Sequence, residues 1–189
     1  MGMLDGRVAI CTGAGRGVGA EVAKLMGAHG AKVLVNDPGV SGDGQGGDAG
    51  PAQEIADAII AAGGTAAANV GAVASYEDCL GMVQQAQNEL GGCHILFNPA
   101  GILRDRMFHK MSPQDWHAVI DVHLTGHFNI TRAAINLFRE QEYGRVIMVG
   151  STSGLLGNVG QANYGAAKLG IVALARIVAM ENASKGITA

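Results

Sequence analysis

Short apolar, β-branched runs alternate along this chain with longer stretches in which apolar residues recur at helical spacing. Arg7–Thr12, Lys32–Asn36, Thr65–Val70, His94–Asn98 and Arg145–Gly150 have the length and residue type of strands. Roughly Gly17–His29, Pro51–Ala62, Ser75–Leu90, Ser112–Arg139 and Ala162–Ser184 read as helices. Parallel strands need a long crossover, which a helix supplies, and right-handed crossovers distribute the helices over both sheet faces. The pattern therefore predicts an α/β protein, a doubly wound parallel sheet with helices on both faces, in one domain spanning residues 1–189. Ser112, Pro113 and Asp115 mark a helix start by cap, first-turn proline and first-turn acid. Pro38–Pro51 is glycine-rich and polar and is expected to be a mobile loop after the second strand.

Composition removes several alternatives. The 13 Lys and Arg against 16 Asp and Glu give a net charge of -3, which offers no basic footprint for nucleic acid. The 30 glycines in 189 residues have no G-X-Y period, so each needs a local reason. Cys11, Cys79 and Cys93 are odd in number and lack a CxxC pair, as expected of reduced thiols in a cytoplasmic protein. The apolar run Leu169–Met180 is interrupted by Arg176 and is shorter than the ~20 residues of a bilayer span, so no membrane partner is expected.

The first strand runs into Thr12-Gly13-Ala14-Gly15-Arg16-Gly17-Val18-Gly19, and a helix begins inside that segment. A diphosphate needs backbone N–H groups at close range and the positive end of a helix dipole, and glycine lets the chain turn tightly enough to offer both. With Asp37 ending the second strand, the context is that of a dinucleotide site of Rossmann type. Asp37 would accept hydrogen bonds from ribose hydroxyls and repel a 2′-phosphate, favouring NAD over NADP, while Arg16 pulls toward NADP. No Lys-Ser/Thr follows the glycines, so this is not a P-loop.

Tyr164 and Lys168 lie four apart on one helix face, and Ser151 ends the fifth strand ahead of them. An ammonium beside a phenol favours its ionised form and makes it an acid and base usable near neutral pH. With the glycine turn and Asn98-Pro99-Ala100-Gly101, these residues make the sequence resemble the short-chain dehydrogenase/reductase family over its whole length. The resemblance implies that Tyr164 exchanges the proton, Lys168 assists it and holds the nicotinamide ribose, and Ser151 bonds the reacting oxygen. It also implies that Gly13, Gly15, Arg16, Gly17, Val18, Gly19, Asp37, Asn98, Ala100 and Gly101 hold the cofactor, with Ser153 out of register.

The stretches 98–106, 122–126 and 157–164 are similar to the (3R)-hydroxyacyl-CoA dehydrogenase modules of peroxisomal multifunctional enzymes and bacterial relatives, implying an NAD-dependent alcohol–ketone oxidoreductase acting on a small molecule, with an acyl-CoA thioester first among candidates. An NADPH-dependent 3-oxoacyl carrier-protein reductase and a non-catalytic nucleotide-binding module are the alternatives. By the same resemblance His123 joins Ser151, Tyr164 and Lys168 as a catalytic candidate, standing where many members carry an asparagine that orders a water for proton relay. Pro99 replaces the second asparagine of NNAG, and Gly71 replaces a frequent aspartate. His123 and His127 lie four apart, but no third metal ligand at suitable spacing is evident. The family continues past Ala189 with further strands, so the C-terminal strands are expected to be absent and the sequence to be part of a longer polypeptide. By resemblance, the long helices at 112–139 and 162–184 form a homodimer or homotetramer contact.

Overall fold

The computed structural model describes residues 2–48 and 50–189. Six parallel strands lie in the order β3-β2-β1-β4-β5-β6. They are β1 (Val8–Cys11), β2 (Lys32–Asn36), β3 (Thr65–Asn69), β4 (Ile95–Asn98), β5 (Gly144–Met148) and β6 (Ile187–Thr188). The connecting helices are α1 (Gly17–Ala28), α2 (Gly50–Ala61), α3 (Tyr76–Gln85), α4 (Pro113–Ile120), α5 (Gly126–Glu140), α6 (Thr152–Leu156) and α7 (Ala162–Asn182). The strand order reverses between β1 and β4, which opens a crevice at their carboxyl ends. The expected doubly wound α/β class is therefore observed. Central strands buried on both faces explain the continuous apolar runs: β1 is buried throughout, and Val33–Asn36 are buried in β2.

The two faces have separate cores. Ile10, Leu34, Leu96 and Val146 pack against Met82 of α3 and Ile130 and Phe138 of α5. Ala9, Cys11, Val33, Val35, Ile95 and Phe97 pack against Ala23 of α1 and Ala56 and Ile59 of α2. Toward β5 this second face is open, with Ile147 44% exposed. The three cysteines are buried and free, and burial pushes each thiol up to about 12. Alpha7 is long and apolar enough in composition to cross a bilayer, but it buries Ala167, Lys168 and Ile171 within this fold.

Four expectations need correction. The strands after the fifth are not wholly absent: Ile187 and Thr188 pair with Gly144 and Arg145. The stretches 75–90 and 112–139 are not uninterrupted α-helix; each contains a π turn, at Ala86–Leu90 and Asp121–Thr125. Apolar periodicity persists through such a turn, so the pattern does not reveal it. The short α6 between β5 and α7 was not expected; Ser151 starts it by accepting a hydrogen bond from Ser153 N–H. Finally, the Pro38–Pro51 loop, apart from residue 49, is tied down. Leu103 N–H donates to Gly42 O (2.9 Å), and Arg104 Nε–H donates to Asp43 O (2.8 Å). Its glycine-rich backbone exposes carbonyls, and the segment after β4 supplies the donors.

Candidate active site

The glycine turn is fixed between strands by Thr12 N–H donating to Phe97 O and Ala14 N–H donating to Asn36 O. At Gly13, φ is +55° and an added Cβ would lie 2.6 Å from Ala100 Cα, so only glycine brings the two loop segments this close. Alpha1 begins at Gly17 without a side-chain cap from Arg16 and without an acid in its first turn. Alpha3 and α4, by contrast, are capped by Ser75 and Ser112. The amino end of α1 thus keeps N–H groups and positive dipole for an anion.

A cavity of about 550 Å³ opens beside it. Of the expected cofactor residues, Gly13, Arg16, Gly17, Asp37, Ala100 and Gly101 line it. Gly15, Val18, Gly19, Asn98, Tyr164 and Lys168 stand outside the lining, as do the catalytic candidates Ser151 and His123. Gly15 N–H donates instead to Asp37 Oδ2 (3.0 Å), and Gly39 N–H donates to Asp37 Oδ1 (2.8 Å). Each carboxylate oxygen retains a lone pair for a ribose hydroxyl. Asn98 is buried, and neither polar atom of its side chain has a partner among the described residues. Sequence reasoning missed Ala72, Val73 and Ala74, which also line the cavity. Their position past the carboxyl end of β3 was the available signal. Gly71, next to them, is engaged with Asn36 and Asn69 side chains.

The catalytic candidates gather at the same sheet end. Lys168 is 3% exposed and donates to Val149 O at 2.6 Å, leaving two further N–H donors on its ammonium. Its nitrogen lies 5.5 Å from the Tyr164 ring centre, so the fold brings these two side chains together. Burial lowers Lys168 to about 8. Ser151 Oγ accepts from Ser153 N–H at 3.1 Å, which leaves its own O–H free to donate; Ser153 itself serves through its backbone. His123, within the π turn, meets the Tyr164 ring edge-to-face at 5.0 Å.

His123 Nε2 lies 2.8 Å from Ile102 O and 3.1 Å from Ile102 N. Protonated at Nε2 the ring donates to that carbonyl; protonated at Nδ1 it accepts from that N–H. An added Cβ on Gly101 would run into this ring, so the glycine of Asn98-Pro99-Ala100-Gly101 makes room for the histidine. Burial first, then the Lys168 charge, lower His123 to about 4, and the same causes with His123 lower His127 to about 4. Both rings are neutral near pH 7.

A glycine turn at the switch point of a parallel sheet, an uncapped helix start and a serine, tyrosine and lysine at one rim define an α/β protein of the dinucleotide-binding class. The family described as short chain dehydrogenase matches residues 7–189, and the chain belongs to it. It is 48% identical over 186 residues to a short-chain type dehydrogenase/reductase of Mycobacterium tuberculosis, covering 98% of this chain and 65% of that protein. It is 47% identical over 183 residues to peroxisomal multifunctional enzyme type 2 of Drosophila melanogaster, covering 97% of this chain and 30% of that enzyme. The crystal structure of a short chain dehydrogenase from Mycobacterium avium superposes with a TM-score of 0.91 at 44% identity, covering 99% of this chain and 66% of that one. The chain thus spans about two thirds of the mycobacterial relatives and under a third of the multifunctional enzyme.

Proposed function

We propose that this chain carries the dinucleotide and proton-transfer sites of an oxidoreductase that interconverts a secondary alcohol and a ketone, with a 3-hydroxyacyl thioester as substrate and NAD as the preferred cofactor. The observation that carries the reading is the juxtaposition of Tyr164 with buried Lys168 and His123. The cavity, the glycine contact at Gly13 and the uncapped start of α1 fit a nicotinamide dinucleotide. When bound, that group accepts or supplies the hydride.

In the oxidative direction Ser151 donates its O–H to the substrate oxygen and fixes it. Tyr164 takes the hydroxyl proton onto its phenolic oxygen, and the Lys168 ammonium stabilises the negative charge that position carries before it is protonated. Val149 O orients the ammonium, leaving its other donors for the ribose and phenol. In reduction the same proton returns from Tyr164 to the oxygen. Asp37 supports NAD because its carboxylate repels a 2′-phosphate. The thioester reading is supported by a 3-oxoacyl-[acyl-carrier-protein] reductase and an acetoacetyl-CoA reductase among the relatives, 39% and 38% identical to this chain. The buried free thiols support a reducing compartment such as the cytoplasm.

Tyr164→Phe tests the assignment. Turnover of a 3-hydroxyacyl-CoA is expected to fall by at least about a hundredfold, the usual scale of a lost general base, with NADH affinity unchanged by calorimetry. Turnover equal to the parent would end the reading.

A further inference from the structure

Tyr164 lies in the first turn of α7, where a helix has unpaired N–H groups and frays most readily. Gln161, before that turn, contributes no side-chain cap. Asn163 takes over the task from inside the helix. It is 0% exposed and accepts from Tyr164 N–H at 2.8 Å. Its amide nitrogen donates to Arg104 O (3.1 Å) and Asp115 O (3.0 Å). One acceptor and both donors of a buried amide are therefore used, and they join α7, α4 and the segment after β4 at a single point.

We propose that Asn163 is the positioning residue for Tyr164, a role that rests on the function proposed above. Lys168, one turn further along, has a side-chain tether of its own to Val149 O. The phenol has no comparable tether among the described residues: outside the helix's own backbone ladder, Tyr164 is held by the hydrogen bond from its N–H to Asn163. The Asn163 bond to Arg104 O also reaches the segment whose Ile102 holds the His123 ring and lines the dinucleotide cavity. Asn163 thus sets where the phenol stands relative to ammonium, histidine and cleft.

The test compares parent, Asn163→Asp and Asn163→Ala for kcat, KM and NADH affinity, well below each variant's melting temperature. Asn163→Asp keeps size and acceptor but turns oxygen lone pairs toward two carbonyl oxygens; Asn163→Ala removes the whole clamp. Both are expected to lower kcat by about tenfold or more, the scale of a misplaced reacting group, with KM and NADH affinity held within about twofold. The kcat ratio of Asn163→Asp to parent should climb as pH falls, because a protonated carboxyl regains one donor, whereas a residue that only adds stability would lower the melting temperature and leave this ratio flat. Near-parent kcat in both variants, a loss carried by KM or NADH affinity, or a flat ratio overturns the proposal. A parent silent on every hydroxyacyl thioester tried overturns the proposed function and this inference together.

Discussion

At the scale of single residues, the site is built by placing titratable groups where water cannot reach them. His123 and His127 are 3% and 2% exposed and hold their protons far more weakly than in the unfolded chain. The unfolded chain therefore binds more protons between about pH 4 and 6.5, and stability rises with pH across that window. Acidification from 6.5 to 4 is expected to cost up to about 3 kcal/mol per histidine, seen as a falling melting temperature; His127→Asn should flatten the profile. A melting temperature constant over that range would contradict the burial argument. Asp37→Asn keeps an acceptor for Gly15 N–H but removes the charge facing a 2′-phosphate. The NADP-to-NAD ratio of kcat/KM should rise by about tenfold, the worth of one charge-assisted contact, and initial rates with the two cofactors check it.

At the scale of elements, the segment after β4 joins the two halves of the site. Leu103 and Arg104 hold the 38–48 loop, whose Pro38, Val40 and Ser41 line the cavity, while Ile102 and Arg104 O serve His123 and Asn163. Removing the Arg104 side chain deletes a hydrogen bond of about 1 kcal/mol, so Arg104→Ala should weaken NADH binding about fivefold by fluorescence titration. Unchanged affinity would mean that the loop does not contribute to the cleft. The loop's glycine composition announces exposed carbonyls and says nothing of which donors will find them, which is why flexibility was expected. The π turn at Asp121–Thr125 leaves no mark in the pattern, because it inserts one residue into a helix whose apolar faces continue on either side.

At the scale of the molecule, Phe128 of α5 and Leu169, Ile177 and Met180 of α7 are exposed apolar residues. We propose that these helices form the contact of a homodimer or homotetramer. Sedimentation of the parent as an oligomer, and of Ile177→Glu as a monomer, is the expected result; a concentration-independent parent monomer would refute it. The alternating pattern determined the sheet and its helices, because crossovers between parallel strands leave few topologies open. The glycine turn and the Tyr164–Lys168 pair were equally legible as residues, since each is a short motif spaced within a few positions, and Asp37 was legible from its place at the end of the second strand, 22 residues past Gly15. Tertiary structure alone decided the rest. Asn163 acquires its role from Arg104 and Asp115, 59 and 48 residues away, and the loop at 38–48 from Leu103 and Arg104. His123 owes its neutrality to burial beneath Ile102 and beside Lys168. Hydrogen bonds and desolvation of this kind depend on which groups the fold brings together, and no local pattern encodes that proximity.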